Sequence, residues 1–88
     1  MQFDDEAKKA QVHRLRRIEG QVRGVHRMVE EGRPCYEIVA QLRAVAAGAE
    51  RVADLLIEAH LAGLLADVLP PPVAERVRRE VSRGLRAR

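Results

Sequence analysis

The sequence predicts an all-α fold of three helices organised around one long central helix. Three observations carry that expectation. Apolar residues recur three and four apart through most of the chain, which is the helical period. Phe3 and Tyr36 are the only aromatic residues, so any core is built from Leu, Val, Ile and Ala, a composition suited to helices packed on helices. Strong breakers cluster at two places, Gly32 to Pro34 and Pro70 to Pro72.

Residues 1–5 form a short polar lead, expected to be flexible, in which Asp4 or Asp5 caps the first helix. That helix runs to Glu31 with one apolar stripe of Val12, Leu15, Ile18, Val22, Val25 and Met28/Val29. Gly20 and Gly24 cost helix stability, which points to a close helix contact there. Gly32 and Pro34 end this helix and begin the next. The central helix covers Arg33 to Leu64, with Ile38/Val39, Leu42, Val45/Ala46, Ala49, Val52/Ala53, Leu56 and Ala59 in helical period. About 30 residues of helix span roughly 45 Å. A chain of 88 residues cannot bury so long a helix alone, so partner chains are expected. The third helix follows the prolines, with Val73, Val77, Val81 and Leu85 four apart and a basic end, residues 83–88, expected to fray.

The chain is read as one domain over residues 1–88. A net charge of +3 and a pI near 9.7, mostly from arginine, permit nucleic-acid binding without establishing it. No stretch reaches the length of a membrane span and no signal peptide is evident, so no membrane partner is expected. The single cysteine allows no intrachain disulfide and suits a reduced, cytoplasmic setting.

Cys35 and His60 lie on the central helix, twenty-five residues apart. At about 100° per residue they return to nearly the same face, yet they are ~37 Å apart along the axis. One straight helix cannot join them. An antiparallel copy can, setting Cys35 of one chain beside His60 of the other, with the midpoint in the small-residue run Ala46 to Ala49, Gly48 included. A lone cysteine and a lone histidine are also ordinary core residues. The first helix carries Lys8, Lys9, His13, Arg14, Arg16, Arg17, Arg23, His26 and Arg27. Arg16, Arg23 and Arg27 recur opposite the apolar stripe, Arg14 and Arg17 flank it, and Arg43 and Arg51 project from the central helix. Together they form a candidate surface for DNA phosphates, with a merely solvated face as the other account. No standard DNA-reading motif is present. Enzyme chemistry is poorly served: no phosphate loop, CxxC pair or oxyanion device can be named, so the chain is read as not an enzyme.

The run RLRRIEGQVRGVHRMVEEGRPC, then YEIVAQLRA, then EAHLAGL closely resembles the CsoR/RcnR family of bacterial transcriptional repressors, over about residues 7–65. The resemblance implies an antiparallel dimer with a four-helix-bundle core, a dimer of dimers as the DNA-binding form, and release of double-stranded operator DNA on inducer binding. It implies that Cys35 and His60, the latter from the other subunit, are the sensing pair. It implies operator contacts at Arg14 and Arg51; from the basic surface itself, Arg16 and Arg17 are read as DNA-binding residues too, with Lys9, Arg23 and Arg43 as further candidate contacts. Glu80 matches an outer-shell carboxylate of the copper sensors.

The sequence departs from the family's subtypes at defined positions. Leu64 stands where copper sensors carry a third ligand. Phe3 replaces a histidine of the nickel type, and a second cysteine for sulfide chemistry is absent. Gln2 replaces the proline of the formaldehyde type. Two kinds of inducer are therefore expected as alternatives at Cys35 and His60: Cu(I), which tolerates few ligands, or another metal ion; or formaldehyde or another thiol-reactive electrophile captured by Cys35, which needs no metal cofactor. A reading of another class is a helical adaptor with a structural Cys35.

Overall fold

A computed structural model describes residues 4–87, in three helices; the readings placed on Gln2 and Phe3 lie outside the described residues. The first helix, α1, spans Asp5–Glu30. Asp4 caps it: its Oδ1 accepts a hydrogen bond from the Ala7 amide at 2.8 Å, and Asp5 and Glu6 complement the positive helix start. The far end closes in a paired turn. Arg33 N donates to Met28 O at 3.0 Å and Gly32 N to Val29 O at 3.1 Å, which requires the left-handed φ of +68° at Gly32.

The central helix, α2, spans Cys35–Ala66 without a break, 32 residues in all. Pro34 sets its start, and Arg33 holds Glu37 of the first turn at 2.9 Å. The third helix, α3, spans Pro71–Arg86 and starts on prolines whose missing N–H groups would have no helical partner there. Arg83 and Arg86 form its last turn. No described helix is long and apolar enough to cross a membrane.

Both α1 and α3 pack on α2, and among the described residues they do not touch each other. The result is a slab one helix thick, 55 × 27 × 14 Å. Its radius of gyration is 17.0 Å, against about 12 Å for a closed globule of this length. The chain exposes 6618 Å², about a quarter more than a folded monomer of this mass does. Val25 and Val52 are the only buried hydrophobic residues among those described, and neither is fully enclosed.

The stripe of α1 divides into two seams. Gln11, Ile18 and Val25, seven apart, turn inward, while Leu15, Val22 and Val29 stay 44% to 58% exposed. The glycines differ from expectation. A Cβ on Gly24 would meet nothing within 4 Å, and one on Gly20 only Arg23 of its own helix, so neither marks a close contact within the chain. Gly48 does, but against α1: a Cβ there would sit 3.7 Å from Ile18 Cγ1. The thinnest point of α2 therefore serves the α1 crossing inside one chain.

On the other side, α3 is held by Val73, Val77, Val81 and Leu85, all half-buried, and by the buried Ser82. Arg78 Nε donates to Glu75 at 2.9 Å; that bond, seconded by Arg79, pulls the Glu75 carboxyl down to about 2. The Arg78 pKa is raised by the same bond, with the charge of Glu58 on α2 adding to it. The Oε1 atoms of Gln11 and Glu58 are buried without a hydrogen-bond partner among the described residues.

Gly32→Ala is expected to destabilise the chain by about 1 kcal/mol, because a Cβ is disfavoured at positive φ. Urea unfolding checks it: the midpoint falls while the slope stays unchanged.

Candidate sensor site and nucleic-acid interface

The side of α2 that neither α1 nor α3 covers is a continuous apolar strip. Val39, Leu42, Ala46, Ala49, Ala53, Ile57 and Leu64 lie within about 40° of one direction around the helix and are all exposed. Leu42 and Ile57 each keep 48% of their surface, which a helix core position does not. Cys35 lies at one end of this strip, exposed and free, as the first residue of α2. His60 lies near the other end, half-buried and with an interaction partner of its own. Leu64 follows one turn later, 45% exposed on the same strip.

α2 is continuous, so Cys35 and His60 stay ~37 Å apart within one chain. Among the described residues, no three His, Cys, Asp or Glu side chains come together to hold a metal ion. One thiolate and one imidazole do suit a soft, low-coordinate ion such as Cu(I), but only two copies of the chain can bring them together. Glu80 is placed at the surface of α3, where it accepts from Arg83 at 3.3 Å and its side chain is 64% exposed.

The basic residues fall into separate groups. Lys9, Arg16 and Arg23, seven apart, share one face of α1 opposite its apolar seams, and all are exposed. Lys8, Lys9, Val12, His13 and Arg16 line a concavity of about 410 Å³ there. Arg17 lies round the helix from this stripe, and Arg14 further still, beside the inner seam. Arg43 and Arg51 are exposed on α2, eight residues apart. A single chain therefore offers several basic surfaces rather than one.

The model of a family described as metal-sensitive transcriptional repressors matches residues 7–85. The chain belongs to this family. It is 47% identical over 57 residues to the copper-sensing transcriptional repressor CsoR of Bacillus subtilis, which covers 65% of this chain and 56% of that protein. It is 48% identical over 48 residues to the copper-sensing transcriptional repressor RicR of Mycobacterium tuberculosis, covering 54% of this chain and 50% of the relative. The chain thus spans about half the length of the curated relatives it matches. No solved structure matches it. The family is one of repressors rather than enzymes, and the match extends through α3, beyond the segments that carry the resemblance in sequence.

Cys35→Ser is expected to leave helix content unchanged, because the thiol is exposed at the first residue of α2. Circular dichroism checks this; loss of helicity would make Cys35 a structural residue.

Proposed function

We propose that the chain is a cytoplasmic, DNA-binding repressor released from its operator when an inducer, Cu(I) in the first instance, is held between two copies. The observation that carries this reading is the placement of Cys35 and His60 at opposite ends of the uncovered apolar strip of α2. If two copies bury that strip antiparallel, the Cys35 thiolate of one meets the His60 imidazole of the other, twice per pair. The excess exposed surface and the near-absence of a core support such pairing. A pair of pairs then supplies the broad basic surface for duplex DNA.

The Cys35 thiolate of one copy and the His60 imidazole of the other would hold Cu(I), a soft ion suited to these donors, and would thereby be linked at a contact between the two copies. The copper-sensing relatives favour this ion. The second reading, an electrophile such as formaldehyde adding at the Cys35 sulfur, is favoured by Leu64. This residue lies one turn from His60 on the same strip and has no atom able to ligate. Glu80 is proposed as an outer carboxylate for the pair, which requires it to exchange Arg83 for a neighbour from another copy.

Operator contacts are assigned to Arg14, Arg16, Arg17 and Arg51, with Lys9, Arg23 and Arg43 beside them. Arg14→Ala and Arg51→Ala should each weaken binding to the DNA upstream of the chain's own gene. Each should also lower the slope of log affinity against log salt by about 0.9 for every phosphate that is no longer neutralised. Fluorescence anisotropy measures both, and normal binding by both variants would remove the assignment.

The copper reading is tested by anaerobic titration of the reduced protein with Cu(I) against a competing chelator, alongside anisotropy. Tight binding that is lost in Cys35→Ser and in His60→Ala, with DNA release at one equivalent per chain, is expected. Copper binding without DNA release, with release by formaldehyde instead, would replace the ion by the electrophile.

A further inference from the structure

α3 carries a second ordered row of positive charge. Arg76, Arg79, Arg83 and Arg86 follow one another at intervals of three, four and three residues. On a helix they fall within about 80° of one another and span about 15 Å. The opposite side of α3 holds Val77, Val81 and Leu85 against α2, so the row faces away from the slab. The Arg79 and Arg83 side chains are 69% and 72% exposed. Arg78, Arg79, Ser82, Arg83 and Arg86 border a concavity of about 210 Å³.

The acidic groups on α3 pair with two of the four arginines and leave the other two. Glu75 takes Arg78 and Arg79, and Glu80 takes Arg83 at 3.3 Å. Among the described residues Arg76 and Arg86 have no ion pair. Exposed pairs of this kind are worth little and exchange readily for a stronger anion. The row is also entirely arginine, in a chain whose lysines, Lys8 and Lys9, both lie on α1. Guanidinium groups match phosphate oxygens in a two-pronged geometry that an ammonium cannot offer. Because α3 does not touch α1, the row is a surface distinct from the basic face of the first helix.

We propose that the arginine row of α3 is a second DNA-phosphate surface, gripping duplex that flanks the stretch held by α1 and α2. One strand of B-form DNA presents a phosphate about every 3.4 Å of axis, so a row of about 15 Å matches roughly four of them. Phosphate contacts carry no sequence information of their own. The row therefore adds affinity and salt dependence and extends the footprint, without changing which sequence is preferred. This inference rests on the reading of the chain as a DNA-binding repressor.

The test compares the full chain with the triple variant Arg76→Gln, Arg83→Gln, Arg86→Gln. All three residues are exposed and glutamine is a good helix former; circular dichroism verifies the fold. Anisotropy is read over a range of salt on two duplexes from the chain's own upstream region, one short and one a helical turn longer at each end. The native chain should bind the longer duplex more tightly. The triple variant should lose that gain, with a salt slope on the long duplex lower by about 0.9 for each phosphate left without its arginine, and should bind the short duplex almost as the native chain does. If the triple variant loses helicity, Arg86→Gln alone, in the last turn, should still lower the long-duplex slope by about 0.9.

Equal length dependence and equal slope in native and variant chains would overturn the proposal. So would a slope loss in Arg33→Gln, a residue outside both surfaces, equal to the loss per arginine in the triple variant, because the effect would then be general charge. Failure of the repressor reading looks different: the native chain would then show no preference for its upstream duplexes over random DNA. Preference retained, with Arg14→Ala weakened and the triple variant unaffected, would sink the α3 proposal alone.

Discussion

A helix of 32 residues has more apolar surface than two shorter helices can cover, and this mismatch governs the rest of the structure. α1 takes one side of α2 and α3 takes another. The third side, from Val39 to Leu64, faces outward as aliphatic surface, joined on α1 by Leu15, Val22 and Val29. Fully burying an aliphatic side chain contributes on the order of 1.5–3 kcal/mol, and about half of that remains to be gained at Leu42, Ile57 and Leu64. That is large beside the few kcal/mol of net stability a small domain retains. This exposed surface is what the proposed pairing of two copies would cover.

The chemistry-bearing residues sit where that bias acts. Cys35 and His60 bracket the uncovered strip instead of lying in a pocket of one chain. A ligand held by both would act on the packing of two copies directly, without a long relay. Switching between DNA-competent and DNA-incompetent arrangements requires a coupling of typically 1–3 kcal/mol. One additional bond between helices at such a contact is of a suitable size. Glu80 and Arg83 form an exposed pair at the surface of α3.

Charge is laid out on a separate plan. Lys9, Arg16 and Arg23 line α1 opposite its apolar seams, and Arg76, Arg79, Arg83 and Arg86 line α3 opposite its own. Each outer helix is anchored to α2 through one face and presents arginine on the other. Arg78 is the exception: it lies at the α3–α2 boundary, where Glu75 and Glu58 both favour its charged form. Its bonded partner is Glu75 of its own helix.

The sequence by itself determined the helices, because their boundaries depend on local chemistry: the Asp4 cap, the positive φ at Gly32, the prolines at 34 and 70–72. It also determined that Cys35 and His60 share a face, since helical phase follows from residue count alone. What it left undecided was the partner of each apolar residue. Leu15 and Ile18 belong to one stripe by period, yet only the inner seam that includes Ile18 is turned inward. Gly48 reads as a thin point for a second copy, and the tertiary structure gives it to Ile18. The arginine row of α3 is visible as spacing, but its outward direction follows only from which side of α3 is packed on α2. Periodicity names a helix's faces; tertiary packing alone decides which face meets which neighbour, because that choice depends on the shape of surfaces distant in the chain.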